Sequence, residues 1–316
     1  MPITLAEAKQ LTQDKLTQFV IDEFRKSALL DMLPFDNTVL PPGNGQTMTY
    51  AYNRVTTLPS AGGRAINSEY QAQEAKTTQY NVNLKPFGGS FQLDRVIIQH
   101  EKKVVDHIQF QTQQKIKATV AVFHDWLING DSGVDPLQFD GLEKAVAGSS
   151  TELIPGAAIN LSTSANITAN WQAFLDAMRK LRSMLDGAPT LWLMNADMFG
   201  VFQSVMDRAG INLASKQNYG DEAVQWGPSL VMSLGDKPNT ATPIIATANG
   251  ETSIFTVRLG LDAVHAASPE GNKVAEVYLP DLKAPGAVKT GEVEMVAAVA
   301  VKATRSAGVL RKVKIA

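Results

Sequence analysis

Gln46-Thr47-Met48-Thr49-Tyr50-Ala51-Tyr52 and its return, Thr77-Thr78-Gln79-Tyr80-Asn81-Val82-Asn83-Leu84, are the stretch that decides how this chain folds. Both limbs alternate with period two, as strands do when successive side chains point to opposite faces. Between them Leu58-Pro59-Ser60-Ala61-Gly62-Gly63-Arg64, then polar residues as far as Lys76, make a turn-rich tip. Residues 46–92 thus read as a long two-stranded arm. Such a ribbon is marginal in water because it buries too little on either face. It needs a cover, either another copy of the chain or its own body, and a long glycine-rich polar tip suits reaching outward. The arm region also holds four of the six tyrosines, Tyr50, Tyr52, Tyr70 and Tyr80, a residue that buries well at interfaces while its hydroxyl keeps a partner.

Outward from the arm, Lys85-Pro86-Phe87-Gly88-Gly89 reads as a hinge, with Gly88 and Gly89 freeing the backbone. Asp94 is placed to cap a helix running to about Ile128. Its face is Val105, Ile108, Thr112, Ile116, Thr119, Val120, Phe123 and Leu127, and Asn129-Gly130 is its stop. About 35 residues at ~1.5 Å each give a rod of roughly 52 Å. Its middle is polar on most sides, so the rod is half buried. On the other side, Thr4-Leu5-Ala6-Glu7 forms a capping box before a helix bearing Leu16, Phe19, Val20 and Phe24. Pro41-Pro42-Gly43-Asn44-Gly45 closes that region.

Past the rod, Phe139-Asp140-Gly141-Leu142 opens an α/β block. A helix carries Trp171, Phe174, Leu175, Met178, Leu181 and Leu185. A buried strand follows at Thr190–Met194, and Asn195 caps a second helix. Further strands are expected at about 229–234, 243–248, 253–260, 274–279, 291–303 and 308–315. The α/β block spans about 135–270; the rod and the C-terminal strands form a second, discontinuous core.

The 316 residues include 29 basic and 31 acidic side chains, a formal charge of −2, against the basic excess of a dedicated nucleic-acid reader. Absence of cysteine excludes a disulfide framework and thiolate metal sites. No targeting signal opens the chain and no apolar run is long enough to span a membrane. Nor is there a catalytic constellation. His100-Glu101 lacks the second histidine of a zinc helix, leaving His100, His107 and His124 as solvent-facing or interface side chains on the rod and His265 isolated. Lys289-Thr290-Gly291 has no Ser-x-x-Lys companion. From Val296 onward Lys302, Arg305, Arg311, Lys312 and Lys314 occur without an acid. Two readings stand: non-specific phosphate contacts, or strand cations that are solvated or paired with a neighbour's acids.

The order of parts resembles the major capsid protein of tailed bacteriophages, the Hong Kong 97-type fold. The matching residues are Arg64-Ala65-Ile66-Asn67 with Glu69 and Glu74 near the arm tip, and Val82 to Gly89 leading into Leu93-Asp94-Arg95-Val96. Further matches are Asn129-Gly130-Asp131 with Phe139-Asp140-Gly141-Leu142, then Trp226-Gly227-Pro228, and Ala303-Thr304-Arg305 with Val309 to Val313. The resemblance implies an α+β fold divided into an N-terminal arm (1–45), E-loop (46–92), spine helix with a first part of the peripheral domain (93–134), axial domain (135–270) and a second peripheral part (271–316).

It further implies a non-enzymatic virion protein, assembled in the host cytoplasm. Pentamers and hexamers would close an icosahedral shell around double-stranded DNA, with a separate scaffold protein or none, and with portal and decoration proteins as partners. No cofactor is implied. Tyr50, Tyr52, Arg64, Glu69, Tyr70, Glu74 and Lys76 are then the expected inter-subunit contacts, Arg64 pairing with Glu69 or Glu74 of a neighbour. Gly88 and Gly89 are the expected hinge for the arm's swing during maturation. An encapsulin, the same fold as a cellular protein compartment, is the alternative.

Overall fold

The computed structural model describes residues 28–38, 47–57, 59–70, 72–100, 104–218, 221–269, 275–281 and 284–316. The expected N-terminal helix over Thr4–Phe24 and the Pro41–Gly45 boundary lie outside the described residues.

A short helix α1 (Ala28–Met32) and strand β1 (Phe35–Asn37) precede the arm, whose strands are β2 (Thr49–Thr57) and β3 (Lys76–Asn83). They pair antiparallel from Thr49↔Asn83 to Thr57↔Lys76, as the alternation requires. Only Leu84 separates β3 from β4 (Lys85–Asp94). Asp94 then accepts a hydrogen bond from the Val96 amide at 2.7 Å, the bond of a helix-capping residue, where α2 (Arg95–His100) starts. The rod continues as α3 (Val104–Asn129), with Thr112, Ile116, Thr119, Phe123 and Leu127 buried along one face at steps of three and four.

The end of the rod explains a quoted motif. Gly141 N donates to Gly130 O at 2.8 Å, and a Cβ on Gly141 would lie 2.5 Å from Trp126 O and 2.8 Å from Ile128 O. Two glycines let the loop cross the helix terminus backbone to backbone. Phe139 is thereby buried among Phe87, Phe123 and Trp126, with ring centroids 5.7–6.3 Å from its own. Lys144 bridges Asp131 (2.7 Å) and Asp140 (2.8 Å) across the loop mouth.

After α4 (Leu142–Val146) come two short strands, β5 (Glu152–Leu153) and β6 (Ile159–Asn160), and then α5 (Ser164–Met184) with Thr163 as N-cap. Next are β7 (Leu191–Met194) and α6 (Ala196–Arg208), whose N-cap Asn195 accepts from Met198 N at 2.8 Å. The chain then lays down β8 (Ala214–Asn218), β9 (Asp221–Trp226), β10 (Ser229–Ser233), β11 (Glu251–Val257), β12 (Val264–Ser268), β13 (Ala275–Tyr278), β14 (Val288–Val301) and β15 (Ala307–Lys314).

Eight of these strands form one sheet in the order β5-β15-β11-β7-β10-β9-β8, with β6 on β15. Five form another, β1-β12-β14-β13, with β4 on β14. The division at residue 270 needs correction. β12, expected in the α/β block, pairs with β14; β15, expected with the spine, pairs with β11 inside the block's sheet. Period two alone does not say which sheet accepts a strand, since both offered unpaired edges. The hairpin β8–β9 was also missed, and 243–248 holds only isolated bridges.

Gly88 and Gly89 are not at a turn. Both sit mid-strand in β4, opposite Glu294 and Val293. The reason for glycine is close approach: a Cβ on Gly88 would meet Val293 O at 1.9 Å. On Gly89 it would meet only the flexible Lys115 side chain at 3.2 Å. Gly88→Ala is therefore expected to destabilise the subunit by roughly 1–3 kcal/mol, and Gly89→Ala by less than ~1 kcal/mol. Urea denaturation of the two variants checks the difference; equal small effects would return the pair to a hinge.

Candidate inter-subunit arm and its anchorage

Tyr50, Tyr52 and Arg54 alternate along β2, so all three fall on one face of the ribbon. That face rests on the chain's own body. Tyr50 is buried, and its hydroxyl donates to Asp36 Oδ2 at 2.5 Å. Its ring stands edge-on to His265, centroids 5.4 Å apart, and Lys302 Nζ lies 5.3 Å from its centroid. Tyr52 donates to Val301 O at 3.0 Å and stacks on Tyr80 at 5.9 Å. The Arg54 guanidinium sits 4.5 Å over Tyr80 and donates to Lys302 O (3.1 Å), Thr304 Oγ1 (3.3 Å) and Val301 O.

The clamp has its own electrostatics. Burial, then the hydrogen bond to and charge of Asp36, push the Tyr50 phenol well above its ordinary range. Burial raises the Tyr52 phenol too, against the pull of the Arg54 cation. His265 is fully buried in β12 and held down to about 4, by burial first and by the Lys302 charge second. Lys302 also lies 3.9 Å from Asp36.

Tyr50 and Tyr52 are thus corrected from neighbour contacts to anchors within the subunit. The arm's first turn of strand does have a cover at home, because three large side chains of one parity found the exposed end of β14. Arg54 was the residue missed, although its parity with the two tyrosines was a readable signal. Asp36, His265 and Lys302 were beyond sequence, each coming from a different part of the chain.

Farther out the arm stands free of the body. Arg64, Glu69, Tyr70, Glu74 and Lys76 are all exposed. Arg64 donates to Ala65 O (3.3 Å) and Ser68 O (3.0 Å) and lies 5.3 Å over the Tyr70 ring. It makes no ion pair with Glu69 or Glu74 within the described residues of this chain. Asn67 at φ 66° and the bond Ser68 N to Ala65 O (3.1 Å) close a turn that leaves Ile66 91% exposed.

The five C-terminal cations do not form one stripe. Arg311 is half-buried between Glu143 (2.7 and 2.9 Å) and Glu152 (2.8 Å). Burial would raise the Glu152 carboxyl; hydrogen bonds from the Gly148 amide and Arg311 outweigh it and hold it low. A bulge between the pairs Thr252↔Val313 and Ile254↔Leu310 aims it there, with Lys312 at φ 55° turned to solvent. Arg305 donates to Met184 O at 2.8 Å, and Lys302 belongs to the arm clamp. Arg311 and Lys302 are therefore corrected from phosphate contacts to internal partners of acids, while Lys312 and Lys314 have no ion-pair partner among the described residues.

Arg311→Ala should lower the unfolding free energy of the isolated subunit by about 1–3 kcal/mol, since it strands two carboxylates. Thermal denaturation in the absence of nucleic acid is the check, and an unchanged melting point would reopen the phosphate role.

His107, expected as a solvent-facing or interface side chain, is 3% exposed within the subunit. Among the described residues no group of three His, Asp or Glu could hold a metal ion, and no helix is long and apolar enough to cross a membrane.

No family model matches the chain, and no curated protein sequence does. Solved structures do match over nearly its whole length. The holo-SrpI encapsulin complex of Synechococcus elongatus aligns with TM-score 0.61 and 16% identity, covering 99% of this chain and 97% of that one. The capsid of Myoviridae phage XM1 gives 0.57 and 10%, over 98% and 99%. Mycobacterium phage Bobi gives 0.55 and 13%, again over 98% and 99%. At such identities what is shared is the path of the backbone, arm and rod included. The chain therefore has the Hong Kong 97-type fold, in common with phage capsid and encapsulin subunits.

Proposed function

We propose that this chain is the major capsid protein of a tailed phage, forming pentamers and hexamers that close an icosahedral shell around double-stranded DNA. One observation carries the reading: beyond its clamp the arm, a strandless tip over 59–70 and 72–75 on the end of the β2–β3 ribbon, is exposed almost throughout, as is β3, and a two-stranded ribbon bearing such a tip is marginal on its own in water. A neighbouring subunit supplies the missing cover. If that cover buries on the order of 1,000 Å² of apolar surface, the gross gain is roughly 25 kcal/mol, most of it offset by ordering and association. The role is structural rather than enzymatic. Assembly would take place in the host cytoplasm, with a separate scaffold protein or none, and with portal and decoration proteins joining the shell.

The encapsulin match favours a second reading, a compartment that holds protein instead of nucleic acid. Negative-stain microscopy of the purified chain, followed by nuclease digestion and analysis of the protected contents, separates the two. Closed particles protecting double-stranded DNA support the virion; closed particles holding protein alone support the compartment. Only a 34.1 kDa species under assembly conditions, with scaffold supplied, would reject both.

A further inference from the structure

The outer face of the five-stranded sheet holds an unexplained concentration of acid. Glu292 and Glu294 of β14 are exposed and have no cationic partner among the described residues. Being two residues apart on a strand, they share a face, with Cα atoms roughly 7 Å apart. Glu294 stands directly opposite Glu276 of β13. On the other flank, Glu294 pairs with Gly88 and Glu292 with Ser90. Where Gly88 has no side chain, the backbone floors an open groove of about 350 Å³ walled by the two glutamates. A planar cation fits between such carboxylates, whereas a lysine ammonium would engage one of them at a time.

A second copy of the chain presents such a cation. Arg64 is the only basic residue between Val55 and Ala75, it is exposed at the arm tip, and its guanidinium carbon already lies 5.3 Å over the Tyr70 ring. Its carbonyl contacts leave Nε and Nη2 free of a partner within the described residues. Its own groove is out of line. Twelve residue steps, nearly all in strand, lead from Lys76 to Gly88, roughly 40 Å of chain running away from the tip.

We propose that Arg64, stacked on Tyr70 at the arm tip of one copy, seats between Glu292 and Glu294 of a second copy over the bare backbone at Gly88. This contact rests on the shell reading above and replaces the expected partners Glu69 and Glu74, which lie on the tip itself.

The absence of native cysteine makes the test clean. Arg64→Cys combined with Glu294→Cys, oxidised with copper–phenanthroline after assembly, should give a ladder of covalent oligomers on a non-reducing gel. Each single variant, and Arg64→Cys combined with Lys312→Cys, should give none. In parallel, Arg64→Glu should cut particle yield at least tenfold without moving the melting point of the free subunit. Adding Glu292→Arg and Glu294→Arg should restore the yield to within twofold of the parent. Parent particles that assemble normally while the paired cysteines ladder no more than the control overturn the contact alone. If the parent chain forms no particles, the shell reading falls and the contact falls with it.

Discussion

Phe123→Ala lowers the unfolding free energy of the isolated subunit by about 3–5 kcal/mol, the largest loss expected from any single substitution considered. Phe123 is fully buried, and its ring centroid lies 6.3 Å from those of Phe35 and Phe87 and 5.8 Å from that of Phe139. Those rings come from four separate stretches: β1, the strand leaving the arm, the rod and the loop beyond it. Alanine leaves a cavity whose walls belong to different elements, each pinned by its own hydrogen bonds, so the site cannot collapse. Equilibrium denaturation in urea reads the loss directly. A value below ~1 kcal/mol would mean that the four stretches repack without the ring and that the cluster is not the joint it appears in the fold.

Acidification should destabilise the subunit through His265. An ordinary histidine in the unfolded chain titrates at 6.5, whereas the folded one is held at about 4. The unfolded state therefore takes up the proton first. Stability from this group is complete above pH 6.5 and declines as the pH falls through 6.5 toward 4. The full difference amounts to ~3 kcal/mol at most. His124 is also lowered to about 4 by burial, but it is part-exposed in the fold and counts for less. His265→Phe keeps a ring against Tyr50 and removes the proton site. Its melting temperature should be flatter than the parent's between pH 7 and pH 4.5. Parallel curves for the two proteins would assign the acid sensitivity elsewhere.

Elements governed by local periodicity could be read without coordinates. The rod's buried face, its stop at Asn129-Gly130, the two limbs of the ribbon and the Asn195 cap each depend on residues close in sequence. What escaped was set by distant partners. Tyr50 and Tyr52 were read as outward-facing because aromatic character marks burial without naming the surface that buries it. Gly88-Gly89 looked like a hinge because conformational freedom and tight interstrand approach leave the same mark in a sequence. Arg311 resembled a phosphate contact because its two acids lie more than 150 residues upstream.

The placement of β15 has a consequence for synthesis. It lies inside the eight-stranded sheet, with β11 on one side and β5 and β6 on the other. Every other strand of that sheet leaves the ribosome first, yet β5 and β6 have no strand to join until residues 307–314 follow. A nascent chain thus carries an open seam through its α/β block while its arm is already complete. Closing the seam is a late, non-local event. The α/β block therefore cannot complete its eight-stranded sheet until residues 307–314 have been made and have paired with β11, β5 and β6.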